Sequence, residues 1–225
     1  LFEIMLDKYL IYSCGYWLRA QTLEDAQLDK LELICRKLQL KPGMRVLDIG
    51  CGFGGLARYA AERYGVSVVG ISVSTQQIEL GKRLCAGLPV EFRLTDYRDL
   101  RETFDRVVSV GMFEHVGRRY YNDFFAACDR CLKPAGIFLL HTVGYQNEET
   151  INPWYDKYVM PGVEFPTVAN IFDCVGANLV LQDFHAWEGS HYDRTLMAWF
   201  DRFHAGWGKL KDKYSEPFYR MWKLY

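Results

Sequence analysis

Two ionisable side chains sit where a proton could change hands. Glu114 lies in Gly111-Met112-Phe113-Glu114-His115-Val116-Gly117, just after an apolar run, and His141 closes another, Phe138-Leu139-Leu140-His141. If both runs are strands and neighbours, about 4.8 Å apart, carboxylate and imidazole converge on one small ligand or one proton-transfer site. A solitary Glu or His at a strand end is more often a satisfied structural group. Two that face the same edge of a sheet raise the functional reading. A third acid, Asp48, precedes a glycine-rich loop, Gly50-Cys51-Gly52-Phe53-Gly54-Gly55.

A loop that leaves a buried strand and enters a helix must turn tightly and let its backbone approach a ligand; glycine allows both. Gly50, Gly52 and Gly55 satisfy G-x-G-x-x-G, which alone is weak support for a dinucleotide. Three features favour S-adenosylmethionine instead. Asp48 can meet the ammonium of an amino-acid ligand. Gly54 widens the bare loop, which suits a ligand without pyrophosphate. After the second strand, where a dinucleotide enzyme usually places an acid for the ribose, the chain reads Ile71-Ser72-Val73-Ser74-Thr75-Gln76-Gln77. Ser72 and Gln77 can bond a ribose without charge. At the end of the third strand, Asp96 can accept from an adenine amino group while Tyr97 packs on the ring. The plain alternatives are that Ser74 caps a helix and Asp96 a turn, and both can hold together.

The elements that must position these groups follow from periodicity. Apolar residues at helical spacing predict helices over Leu23 to Leu40, Leu56 to Tyr64, Ser74 to Ala86 and Tyr120 to Leu132. Short apolar runs predict strands over Arg45 to Ile49, Val66 to Gly70, Val90 to Leu94, Arg106 to Val110 and Ile137 to His141. That alternation predicts an α/β, Rossmann-like fold, a mostly parallel sheet with helices on both faces. Beyond His141 the rhythm breaks. Thr167 to Val175 reads as helical, Leu179 to Trp187 as extended, and Leu196 to Trp207 as a helix. One domain is expected over 1–225: an N-terminal active-site segment (1–22), a cofactor-binding core (23–143) and a helical, aromatic lid with the C-terminal part (144–225).

The 225 residues suffice for one full core. A formal charge of −1 leaves no basic footprint, so nucleic acid is not an expected partner. Six Trp, 15 Tyr and 14 Phe exceed the needs of a small core, so some are expected to line a ligand site. Seven scattered Cys make no disulfide framework and fit a reducing cytoplasm. Cys128-Asp129-Arg130-Cys131 is a lone C-x-x-C without further ligands nearby, better read as thiols in a helix than as a metal site. No apolar run reaches membrane-spanning length.

Taken together, Tyr12-Ser13-Cys14-Gly15-Tyr16-Trp17, Lys41 to Gly52, Val110 to Gly117, Leu139-Leu140-His141-Thr142 and His191 to Trp199 resemble the cyclopropane-fatty-acyl-phospholipid synthases and the related mycolic acid cyclopropane synthases. The likeness covers nearly the whole chain, and its Tyr-Ser-Cys, Phe-Glu-His and Leu-Leu-His-Thr segments are far more specific than the glycine loop. It implies transfer of a methylene from S-adenosylmethionine to a cis double bond of an acyl chain, leaving S-adenosylhomocysteine. It also implies a bound bicarbonate ion as base, caged by Cys14, Glu114, His141, Val143 (through its backbone) and Tyr192. Tyr12 and Ser13 would join the cofactor site with Asp48, Gly50, Cys51, Gly52, Gly54, Ser72, Gln77, Asp96 and Tyr97.

Methyl transfer to an alkene leaves a carbocation, which aromatic faces such as Tyr16, Phe113 and Tyr192 could stabilise by about 2 kcal/mol when desolvated. The expected partner is an unsaturated phospholipid acyl chain, met by peripheral contact at the inner face of the membrane. Trp154, Tyr155, Tyr158, Val159 and Met160 would form a lid, and Lys209, Lys211, Lys213, Arg220 and Lys223 would meet anionic head groups. Those cations read equally well as a solvated helical face. A homodimer is compatible with the resemblance. So is a truncated C-terminus, because a further strand is expected beyond Trp222, and longer bacterial members add an N-terminal domain. The rivals are a small-molecule C- or N-methyltransferase on the same fold, which would not need the Cys14, Glu114, His141 and Tyr192 set, and a catalytically silent cofactor-binding module.

Overall fold

The computed structural model describes residues 1–147, 149–176 and 178–225. Its strands are β1 (Arg45–Ile49), β2 (Ser67–Ser72), β3 (Val90–Leu94), β4 (Phe104–Val110) and β5 (Leu132–His141). The helices are α1 (Phe2–Met5), α2 (Leu23–Lys37), α3 (Gly55–Tyr64), α4 (Thr75–Leu84), α5 (Tyr121–Cys131), α6 (Pro153–Tyr158), α7 (Val168–Cys174), α8 (Gly189–Gly206) and α9 (Glu216–Leu224). Every strand predicted from the apolar runs is present, with ends shifted by a few residues.

The strands form one sheet in the order β3-β2-β1-β4-β5, and every described pairing is parallel. Alternation along each strand splits the core between two faces. Val46 and Val68 pack against Leu31 and Ile34 of α2 and Ala57 and Ala60 of α3. Leu47, Ile49, Val69 and Ile71 face Tyr121, Phe124 and Phe125 of α5. Burying each such side chain contributes about 1.5–3 kcal/mol. Helix starts follow local chemistry: the Thr22 side chain accepts from Asp25 N–H at α2, and Ser74 accepts from Gln77 N–H at α4.

Chain order runs outward from β1 to β3, then returns to place β4 on the other side of β1. That reversal opens a crevice beyond the carboxyl ends of β1 and β4. Asp48 with its loop, and Gly111 to His115, both emerge there.

A third core lies outside the sheet. Met5, Leu6, Trp17 and Ala20 of the N-terminal segment pack on Trp199 and Phe203 of α8. The C-terminal aromatics join it, with Trp207 and Tyr219 ring centroids 4.9 Å apart and Phe218 and Trp222 5.5 Å apart. Much of the aromatic excess is therefore structural. One expectation is narrowed and two need correction. Leu179 to Trp187 pairs with no strand, and Val180, Leu181 and Phe184 are exposed; extended backbone without a sheet partner is coil. The helix expected from Leu196 begins at Gly189, because its first turns carry the polar side chains that tie it to the N-terminal segment. Phe113 is no active-site face: it is wholly buried, its ring 4.2 Å from that of Tyr121 and 5.0 Å from that of Phe124. Cys128 and Cys131 are buried on α5, as thiols in a helix should be, and among the described residues no cluster could hold a metal ion. No helix among them is long and apolar enough to cross a membrane.

Candidate active site

A cavity of about 720 Å³ fills the crevice. The loop that walls it is held by its own sheet: Gly50 and Cys51 N–H groups both donate to the Ile71 carbonyl at 3.0 Å. Gly50 has φ +80°, and a Cβ there would lie 2.5 Å from Cβ of Met112, so the position admits glycine alone without strain. Asp48 is only 2% exposed, and its Oδ2 has no hydrogen-bond partner. Burial pushes its carboxyl up to about 7. An orphaned carboxylate at a cavity wall is a costly arrangement unless a cation completes it. The ammonium of an amino-acid ligand fits that requirement.

Tyr12, Ser13, Asp48, Gly50, Cys51, Gly52, Ser72, Gln77, Asp96 and Tyr97 all line this cavity. Gly54 does not: it starts α3 with φ +83°, and a Cβ there would strike the Phe92 ring behind the loop. Its bareness serves packing of α3 on β3 rather than ligand approach. Ser72 donates to Gln77 Oε1 at 2.8 Å, which orients both side chains at the end of β2. Asp96 lines the cavity with both oxygens committed to Arg98, at 2.9 Å to Nε and 2.8 Å to a terminal nitrogen. That pairing holds its carboxyl below the usual carboxylate range. An amino group that binds there must share an oxygen with the guanidinium.

The second predicted set lies apart from the lining of this cavity. Glu114 is 4% exposed; its Oε1 accepts from Val143 N–H at 2.7 Å, while Oε2 has no partner. Burial raises its carboxyl, and the Val143 hydrogen bond opposes the shift. The neighbouring strands required by the sequence are present, for Val110 of β4 pairs with His141 of β5. His141 Nδ1 is buried without a partner. Burial, and after it the charge of Lys30, push this imidazole down to about 3, so it is neutral. The ring packs 4.8 Å from that of Trp187. Burial raises the Cys14 thiol and pushes the Tyr192 hydroxyl up to about 12. Tyr192 lies close enough to interact electrostatically with Cys14 and Glu114, and the Tyr225 hydroxyl accepts from the Tyr12 hydroxyl at 3.1 Å. Cys14, Glu114, Val143 and Tyr192 thus gather in one region, Cys14 and Glu114 buried and Val143 and Tyr192 half-buried, with half-buried His141 at its β5 edge.

Val159 and Met160 of the expected lid line the cavity, and Tyr158 is turned to solvent. Tyr16 is occupied by the rings of Trp187, at 4.9 Å, and His191, stacked at 5.2 Å. Lys209, Lys211, Lys213, Arg220 and Lys223 are all exposed.

Phe53, within the expected glycine loop, also lines the cavity, whereas Met112 and Lys30 on its wall were not expected from the sequence. For Lys30 a signal existed. Gln27 and Lys30 fall on the helical stripe of Leu31, Ile34, Cys35 and Leu38, where a polar side chain must be buried. Both are 0% exposed.

Comparison with known proteins agrees with this geometry. Residues 1–225 match the family model described as mycolic acid cyclopropane synthetase. Over the whole chain, the sequence is 53% identical to the cyclopropane-fatty-acyl-phospholipid synthase of Escherichia coli (strain K12), of which it spans 59%. The structure of the cyclopropane synthase MmaA2 from Mycobacterium tuberculosis superposes with a TM-score of 0.92 at 30% identity, covering 100% of this chain and 85% of that one. A crystal structure of the mycolic acid cyclopropane synthase CmaA1, complexed with SAH and CTAB, superposes with a TM-score of 0.87 at 32% identity, with the same coverage of 100% and 85%.

Proposed function

We propose, for a chain that belongs to the mycolic acid cyclopropane synthetase family, that it transfers a methylene group from S-adenosylmethionine to the cis double bond of an unsaturated phospholipid acyl chain. The observation that carries this reading is the pairing of two sites. A cofactor-sized cavity ends on the orphaned Asp48 carboxylate, and beside it Glu114 and His141 each keep one buried polar atom without a partner.

Asp48 would hold the amino-acid ammonium of the cofactor, Ser72 and Gln77 the ribose, and Asp96 with Tyr97 the adenine. When bound, S-adenosylmethionine supplies an electrophilic one-carbon unit. An alkene cannot be activated by deprotonation, so the chain's task is alignment and the later removal of a proton. Glu114 and His141 are suited to that removal through a small bound anion. Burial raises the Glu114 carboxyl, which favours its sharing a proton with such an anion, and neutral His141 adds a polar ring nitrogen without a competing charge. Bicarbonate, which both donates and accepts, matches those two orphan atoms. Glu114 and the anion form a coupled pair that shares a proton, because two adjacent negative charges repel. The exposed cations from Lys209 to Lys223 suit transient contact with anionic head groups at the inner membrane face.

The test is to incubate the protein with radiolabelled S-adenosylmethionine and vesicles of cis-unsaturated phospholipid, with and without bicarbonate, and to identify the lipid by mass spectrometry. The expected product is heavier by one methylene, has lost its double bond, and accumulates faster with bicarbonate. Label incorporated as a methyl on a small amine, with none in lipid, would instead establish the small-molecule methyltransferase.

A further inference from the structure

The stripe of α2 that faces the N-terminal segment should be apolar throughout, yet it carries an amide and an ammonium. Gln27 and Lys30 are both 0% exposed. Burying an ammonium costs several kcal/mol, and an apolar side chain of similar volume commonly serves a fold equally well or better. Packing alone therefore gives no reason for Lys30. Both side chains converge on one residue. Lys30 Nζ donates to Ser13 Oγ at 2.7 Å, and Gln27 Nε2 donates to the Ser13 carbonyl at 2.9 Å. Ser13 and Tyr12 line the cavity, as does Lys30, and Cys14 belongs to the second set.

We propose that Lys30 and Gln27 are positioning residues that clamp the Tyr12–Cys14 strap onto α2, and so set one wall of the cofactor site. The inference rests on the assignment of the cavity to S-adenosylmethionine. Groups near enough to act on Lys30 come from two further elements. Asp7 precedes the strap on the N-terminal segment, Cys14 ends the strap, and His141 ends β5. Asp7 is itself held by the N–H groups of Tyr9, at 2.8 Å, and Ile11, at 2.9 Å. Cys14 is an un-ionised thiol and His141 is neutral, which leaves Asp7 as the group able to oppose the ammonium. The N-terminal segment thus brings the Asp7 carboxylate and the Ser13 hydroxyl to one cation.

The clamp has a pH signature. Burial pushes Lys30 down to about 7, so the charge that grips Ser13 fades as pH rises through neutrality. Asp48 works in the other direction, because its carboxyl must ionise, also near 7, to hold an ammonium. Cofactor affinity should rise on the acid side with Asp48 and fall on the alkaline side with Lys30.

The experiment measures S-adenosylhomocysteine binding by calorimetry from acid to alkaline pH, with hydrogen exchange of amides 9–16, for the parent, Lys30→Met and Gln27→Leu. Lys30→Met should lose about tenfold to a hundredfold in affinity near pH 6.5, the range for a charge-assisted hydrogen bond. It should also lack the alkaline fall and exchange faster over 9–16. Gln27→Leu should lose several-fold in affinity, exchange faster over the same amides and keep both limbs. Parent affinity and the parent pH profile in Lys30→Met would overturn the proposal. Should that variant not fold, Gln27→Leu decides, and unchanged affinity with unchanged exchange overturns it. A parent that binds no S-adenosylhomocysteine at any pH would instead remove the cofactor assignment, and this inference with it.

Discussion

The cofactor cavity and the set around Glu114 lie side by side but are built in different ways. The cavity rests mainly on short contiguous segments, 48–52, 72–77 and 96–97, each at or just beyond the end of a strand. The neighbouring set is gathered from Cys14 on the strap, Glu114 after β4, His141 and Val143 at and beyond β5, and Tyr192 on α8. The first region is open to a ligand and polar at its end. The second is half-buried around a buried Glu114, holds that carboxyl by the Val143 N–H, and keeps orphan atoms on Glu114 and His141. A binding site of the first kind can be made locally. A site that must keep water from a reactive intermediate needs walls from every layer of the fold.

The largest expected effect separates the two regions. Glu114→Gln keeps an oxygen for Val143 N–H but cannot share a proton as a carboxyl does. Methylene transfer to lipid vesicles should fall by about 10²–10⁴-fold, while S-adenosylhomocysteine affinity, measured by calorimetry, stays within about threefold of the parent. A parallel fall in affinity would merge the two regions into one.

Asp48→Asn probes the other region through pH. The folded carboxyl is raised from 3.8 to about 7. Its stabilising effect is therefore full below about pH 4 and lost as pH rises through 7. In the ligand-free protein the Asn variant should match the parent in acid and exceed it by about 4 kcal/mol at pH 8, as an upper bound. Urea unfolding at the two pH values reads this out. Equal stability at both would mean that the cavity solvates Asp48 already.

Thr195→Val acts where the strap meets α8, close to the second set. Thr195 Oγ1 accepts from Gly15 N–H at 3.0 Å and Trp17 Nε1 at 2.8 Å, and donates to the His191 carbonyl at 2.7 Å. Valine leaves two buried donors unpaired, at a cost of about 2–3 kcal/mol, seen as a lower Tm. If turnover falls while S-adenosylhomocysteine affinity holds, the strap serves the second region separately from the first. The smallest effect belongs outside both regions. Lys211→Glu with Lys213→Glu should weaken co-sedimentation with anionic vesicles by about 1 kcal/mol per lysine, with ligand affinity unchanged.

The strands, the glycine loop and its acid were legible in the residues themselves, because a buried parallel strand must be an apolar run and a tight strand-to-helix turn must carry glycine at Gly50. Glu114 and His141 were legible as polar residues at strand ends, though their convergence required β4 and β5 to be neighbours. That pairing depends on sheet order, which no local pattern encodes. Phe113 misled because an aromatic side chain reads the same in a core as in a site. Leu179 to Trp187 read as extended, and whether such a segment joins a sheet depends on a partner that no local pattern names. Gln27 and Lys30 were visible as polar interruptions of the α2 stripe. Their partner, Ser13, lies on the other side of a turn and meets them only through packing. Sequence alone determined which residues could bind and react, since side-chain chemistry and short-range backbone geometry are local. Tertiary structure decided which of them meet and which lose their water, because burial and contact belong to the assembled layers.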